Sequence, residues 1–334
     1  MQFVRIGFCL PRALREDHVN ILITGASGNL GSRAARHLLS GPHQLHLALH
    51  KSPLPSDLSD HPSVSIRRVD LAKTQTLPQA CAGIDCIVHF AGVLFAPLPE
   101  KFLPTTNVDY VKNLVEAAQK AGVGKFVLVS FPHVEGETSP DRPAIGRLDG
   151  SSNVVHFRTR LEAERYLLQS CEGCSMVPVV FRAGIVYGKG IKLVEGARWM
   201  LRHRLMAIWR KPTLAHLIAL PDFLTALQCA IEGQDVRGIY QVCDDAPLTL
   251  QDFLDKLADH YNCPRPWRLP GWIFHLAGMG CETAALILHT AAPLNREIVR
   301  AGMTSCVADN SRMKRELLKT LAYPTIAEGM TLLE

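Results

Sequence analysis

The stretch "HVNILITGASGNLGSRAARHLLS", residues 18–40, decides the fold. It opens with a short apolar run ending at Thr24, turns through glycines, and then shows helical spacing at Leu30, Ala34, Ala35 and Leu38. That order reads as strand, tight turn, helix. Gly25 permits the tight turn, Gly28 lets the backbone approach a bound pyrophosphate, and Gly31 lets helix and strand pack closely. The amide-rich start of the helix favours the anion.

Working outward, further strand-like runs follow at 44–50, 63–69, 86–92, 125–130 and 177–182, with helical stretches such as "VDYVKNLVEAAQKAG" between several of them. Such alternation predicts an α/β fold, a doubly wound parallel sheet covered on both faces. After about residue 185 the pattern becomes mostly helical, although "GIYQVC" (238–243) still reads as a strand. The expected division is a leader at 1–18, a dinucleotide-binding domain at 19–185 and a smaller, partly interleaved lobe at 186–334, with strand 238–243 returning to the sheet. Ligands of open parallel sheets sit beyond the C-terminal strand edges, which gives that lobe the substrate.

Composition narrows the function. The 334 residues are 47% hydrophobic and carry a net charge of +5, with no Lys/Arg block of the kind that tracks a nucleic-acid backbone. No nucleic-acid partner is expected. Ten cysteines are scattered, and the CxxC of Cys171 and Cys174 has no second pair or nearby His at metal-ligand spacing, so reduced thiols of a cytoplasmic protein and no metal are expected. Arg5, Arg12 and Arg15 interrupt the apolar start, a poor secretory signal. The apolar stretch 269–295 is divided by Glu282 into runs too short to span a bilayer, and a buried helical hairpin or a lid over an apolar substrate is expected there. Contact with a membrane surface stays open.

The spacing TGxxGxxG resembles the extended short-chain dehydrogenase/reductase family, which includes nucleotide-sugar epimerases, dehydratases and 3β-hydroxysteroid dehydrogenases. The likeness runs on through "VDL" (69–71), "HFAGV" (89–93), "TNVDYVKNLVEAAQKAGVGKFVLVS" (106–130) and "FRAGIVYGKG" (181–190), which is similar to the family's LRPxxVYGxG with Ala183 in the Pro place. It covers nearly the whole chain from residue 19. The resemblance implies a Rossmann domain that holds NAD or NADP through Gly25, Ser27, Gly28, Asn29, Leu30, Gly31, His50, Lys51, Asp70, Leu71, Phe90, Ala91, Gly92, Val93, Arg160, Ala183, Gly184 and Ile185. Relatives often form homodimers through helices matching residues 106–121 and 156–170. An acid after the second strand would bind the ribose 2′-hydroxyl, whereas "HK" stands at 50–51, which favours NADP over NAD.

The family's hydride chemistry uses a Ser or Thr after the fifth strand and a Tyr and Lys spaced YxxxK. Here Phe131, His156 and Arg160 occupy those places. The register is supported by the 25-residue separation of Phe131 and His156 and by "TRLEAE" (159–164), which matches the family's SKxxAE. Arg160 can still bind ribose hydroxyls, with a wider, permanently charged fork. His156 can exchange protons near neutrality, but Arg160 one turn away favours its neutral form, and its ring ends roughly 2 Å short of a Tyr hydroxyl, where ~1 Å already costs heavily in rate. Ser130 and His133 are the backup proton-handling candidates. Phe131, His156 and Val93 are expected to line a hydrophobic pocket for a small, largely apolar substrate. Arg142, Arg147 and Asp149 are candidates for a mobile rim.

Three functions follow: an atypical NAD(P)-dependent oxidoreductase; a non-redox isomerase, cyclase or lyase with a structural cofactor; and a non-catalytic NADP-sensing regulator.

Overall fold

A computed structural model describes residues 18–92, 98–290, 292 and 294–334. The expected leader up to position 17, and the Val93 expectation, lie outside the described residues. His18 already belongs to the fold, its Nδ1 lying 2.7 Å from the Pro42 carbonyl.

Seven parallel strands form the central sheet: β1 (Asn20–Thr24), β2 (Gln44–Leu49), β3 (Val64–Arg68), β4 (Cys86–His89), β5 (Lys125–Ser130), β6 (Val177–Ala183) and β7 (Gly238–Val242). They lie in the order β7-β6-β5-β4-β1-β2-β3. The chain moves outward from β1 to β3 and then crosses back to β4, so a crevice opens where the order reverses, between β1 and β4. Alternation within β1 feeds both faces. Ile21 and Ile23 enter one core while Leu22 enters the other.

Helix α1 (Asn29–Leu38) lays Ala34, Ala35 and Leu38 against the first face. On the opposite face lie α2 (Tyr110–Lys120), with Leu114 and Ala118, and α3 (Val155–Ser170), with Ala163 and Leu167. A π-helical turn, Pro104–Asp109, precedes α2.

The later half begins with α4 (Lys192–Arg202) and α5 (Leu220–Glu232), whose Phe223, Ala226 and Ala230 share the core of α1. The buried Lys125 ammonium ties β5 to the end of α5 by donating to the carbonyls of Ala230, Ile231 and Gly233. β7 pairs with β6 from Gly238↔Val179 to Val242↔Ala183. One apolar core is continuous from Ile21 to Leu333. Helices α6 (Leu250–His260), α7 (Gly271–Leu288) and α8 (Arg296–Gly302) follow, and short helices at Ser311–Glu316 and Ile326–Gly329 come near the end of the described fold.

Here the structure corrects the sequence reading of 269–295. The segment is neither a hairpin nor buried: α7 is a single helix running through Glu282, with only Gly278, Glu282 and Ala285 buried. Glu282 does not break it because the carboxylate turns inward, accepting from the backbone N–H of Arg296 (2.9 Å) and from its Nε (2.8 Å).

Candidate active site

The crevice is a cleft of about 380 Å³. Its floor is the phosphate turn. Gly25 has φ +75°, and a Cβ there would come within 2.8 Å of Ala91 N. A Cβ on Gly31 would lie 2.3 Å from the Gly25 carbonyl oxygen, so only glycine lets α1 start this close to β1. Gly28 stands at the N-cap, and α1 has neither a side-chain cap nor an acid in its first turn. Neither its own cap nor its own first turn therefore compensates the partial positive charge of that helix end.

Of the residues read from sequence, Gly25, Ser27, His50, Lys51, Asp70, Leu71, Ala91 and Gly92 line this cleft together. Asp70 lies 3.7 Å from both His50 Nε2 and Lys73 Nζ, so the tips of β2 and β3 meet in a small charged cluster. Thr24, Ala48, Ser52, Val69, Thr106 and Tyr110 also line it and were missed. Thr106 and Tyr110 had a signal, four residues apart at the start of the helix that follows β4.

Other expected contacts are engaged elsewhere. The Asn29 side chain donates to the Gly190 carbonyl (3.0 Å) and accepts from the Lys192 N–H (2.9 Å), joining the phosphate turn to the start of α4. Leu30 and Phe90 pack against the core. Ala183, Gly184 and Ile185 sit outside the lining of the cleft, at the fork between β6 and the short strand Ile185–Tyr187. There the Gly184 N–H donates to Val242 O and the Ile185 N–H to His216 O.

α3 brings Arg160 to the cleft edge. The guanidinium is buried, and its Nη2 is so close to Gly92 that an added Cβ would lie 3.2 Å away. Nε and Nη1 have no hydrogen-bond partner among the described residues. Burial lowers its pKa to about 10. A buried cation with two nitrogens unpartnered among the described residues, at the wall of a cleft, is suited to anionic or hydroxyl-rich ligand atoms.

Phe131 and His156 lie face to face, centroids 5.0 Å apart and planes 9° from parallel, with Phe157 and His133 packed around them. Burial first, then Arg160 and His133, push the His156 pKa down to about 3, and burial holds His133 at about 4. Both rings are neutral at pH 7. Ser130 is buried and donates its hydroxyl to Glu164, which also pairs with the fully buried Arg182. Arg182 pairs with Glu135 as well (2.6 Å), and Arg147, one of the rim candidates, joins that carboxylate at 3.0 Å. Arg147 is thus part of a buried network rather than a mobile rim.

A further residue escaped the sequence. The Glu297 carboxylate, from α8, accepts the backbone N–H groups of Val155 and His156, so the later half of the chain caps the helix that carries Arg160. No local pattern announces a cap supplied from 141 residues away.

Residues 21–214 match the family model described as NAD dependent epimerase/dehydratase family. Among curated proteins, the chain is 28% identical over 292 residues to a 3-beta-hydroxysteroid dehydrogenase of Mycolicibacterium neoaurum, covering 80% of this chain and 78% of the relative. It is 25% identical to a 2-alkyl-3-oxoalkanoate reductase of Stenotrophomonas maltophilia, covering 74% and 77%. Among solved structures, a dTDP-glucose 4,6-dehydratase from Streptomyces venezuelae, bound to NAD, superposes with a TM-score of 0.74 at 17% identity, covering 93% and 94%.

Proposed function

Because the chain belongs to the NAD-dependent epimerase/dehydratase family, we propose that it binds NADP(H) in the β1–β4 cleft and interconverts a carbonyl and an alcohol on a largely apolar substrate. The observation that carries this reading is the pair of features on α3: a buried guanidinium at Gly92 with two nitrogens unpartnered among the described residues, and one turn earlier an imidazole stacked on Phe131. When bound, the nicotinamide supplies or accepts the hydride.

The protein's own residues have these roles. The phosphate turn and the first turn of α1 hold the pyrophosphate. Lys51 and His50, at the tip of β2, supply positive charge or hydrogen bonds to a 2′-phosphate, with His50 shared with Asp70 of the same cleft. Arg160 holds the ribose next to the nicotinamide and contributes a fixed positive field. Phe131, His156 and Phe157 form an apolar wall that excludes water from one side of the substrate. With a pKa of about 3, His156 is a poor proton donor at neutral pH. The proton for the substrate oxygen then comes from solvent at the open side of the cleft. The names of the two curated relatives, which act on a steroid and on an oxoalkanoate, support an apolar substrate.

The neutral His156 and the committed Ser130 also favour a second reading, non-redox isomerisation or lysis with a structural cofactor. Nicotinamide absorbance changing in step with substrate separates the two. The test of the binding reading is fluorescence titration with NADPH and NADH. Arg160→Met should weaken NADPH binding roughly 10- to 100-fold, the value of a charged hydrogen bond, and Lys51→Glu should shift preference towards NADH. Unchanged affinity in Arg160→Met would overturn the role of Arg160.

A further inference from the structure

We propose that α7, together with the basic and aromatic segment 197–211, is a docking surface for an anionic lipid bilayer, lying along the membrane interface rather than crossing it. The surface carries this inference whatever reaction the site performs.

Among the described residues, α7 is the one helix long and apolar enough to cross a membrane by length and composition, yet only 17% of that window is buried. Its buried seam is Gly278, Glu282 and Ala285, and near its start Phe274 packs edge-on against Trp209. Outside that seam Trp272, Leu276, Met279, Leu286, Ile287 and Leu288 are between 46% and 70% exposed. Its only Asp, Glu, Lys or Arg is Glu282, whose carboxylate is turned inward to Arg296. The outward arc therefore carries none of the charge that solvates the free face of an ordinary surface helix.

Two observations select a bilayer over a second protein. Successive residues of a helix point roughly 100° apart, so Leu286, Ile287 and Leu288 face three sides of the last turn. A fluid hydrocarbon phase can wet all three, whereas a folded partner is better matched by a single stripe. At the other end, Trp267 and Trp272 are 65% and 62% exposed, where indoles suit the headgroup level.

The charge beside them is complementary to anionic headgroups. Trp267 donates its backbone N–H to Met206 O (2.9 Å), so β-paired 267–269 lies against the segment "ARWMLRHRLMAIWRK" (197–211). That segment carries Arg198, Arg202, Arg204, Arg210 and Lys211 and no acid, and it exposes Trp199 and Leu205. Cations interleaved with exposed aromatic and apolar side chains are the composition of an interfacial surface. The Glu282–Arg296 pair midway along α7 argues against a span, since it would be drawn into the hydrocarbon centre.

Full-length protein is tested by flotation with vesicles of phosphatidylcholine alone and of phosphatidylcholine mixed with phosphatidylglycerol, the latter also with brominated acyl chains. The expected result is flotation with the mixed vesicles, weakened by salt, with tryptophan emission quenched by the bromines. Leu276→Ser with Ile287→Ser should lower binding roughly tenfold or more while leaving thermal unfolding unchanged. Arg204→Glu with Lys211→Glu should abolish the preference for phosphatidylglycerol. Folded protein that fails to float with mixed vesicles overturns the proposal, as does binding untouched by the Leu276/Ile287 change. A dimer in sedimentation equilibrium that the same change dissolves would also overturn it, assigning this face to a second copy.

Discussion

Arg160 and Glu164 lie one turn apart on α3, both buried, and meet different circumstances. Glu164 is satisfied by Arg182 and by Ser130, whereas two nitrogens of Arg160 have no partner among the described residues. Burying a charge with unsatisfied nitrogens is costly, which supports the ligand-holding role proposed for Arg160. That Phe131 falls just past β5 and His156 and Arg160 fall on α3 was readable from sequence, because spacing fixes the register of both elements. What each side chain touches was not readable. Ser130 read as a spare hydroxyl only until Glu164 was seen to hold it, and Glu297 had no signal at all. Glu297→Ala should remove the cap of α3, lowering stability by about 1 kcal/mol and loosening NADPH binding. Thermal unfolding with and without NADPH measures both, and an unmoved midpoint would show that the cap contributes nothing.

At the scale of elements, the strand, turn and helix of residues 20–38 were legible because each local preference agrees with the next: apolar run, glycines, then period-3.6 spacing. The same agreement makes the turn intolerant. Gly31→Ala would drive a methyl group into the Gly25 carbonyl, backbone that cannot yield without moving the turn. The expected cost is about 1–3 kcal/mol, with NADPH binding lost in the same titration. Normal binding by Gly31→Ala would mean that the turn is not where the dinucleotide rests. α7 is the opposite case. Glu282 read as a divider because sequence shows a charge but not the Arg296 that neutralises it from 14 residues further on.

For the molecule as a whole, buried ionisable groups shape stability against pH. Burial holds His89, His133, His156 and His216 down to about 3, 4, 3 and 4. The unfolded chain takes up these protons near pH ~6.5, so between about pH 4 and ~6.5 it binds more of them than the native state, and stability rises with pH. Asp244 acts oppositely. Burial raises its pKa to about 8, so the native state keeps a proton that the unfolded chain releases near pH ~3.9. Its contribution falls as pH climbs to about 8, at most about 1.4 kcal/mol per unit. The four histidines outweigh it in acid and have finished titrating above, which places the expected maximum near pH ~6.5–7. Urea unfolding across this range measures it. Asp244→Asn should remove the alkaline decline and leave the acid limb, and a flat wild-type profile would contradict neutral burial of the histidines.

The unbroken core also bears on the order of synthesis. Ile21 and Leu333 belong to one apolar cluster, and β7, at 238–242, lies hydrogen-bonded beside β6. A nascent chain that has exposed every residue up to the end of β6 still has an open sheet edge at β6 and an unsealed flank around α1. The half that emerges first from the ribosome must wait for residues as far along as Leu333 before its packing can close.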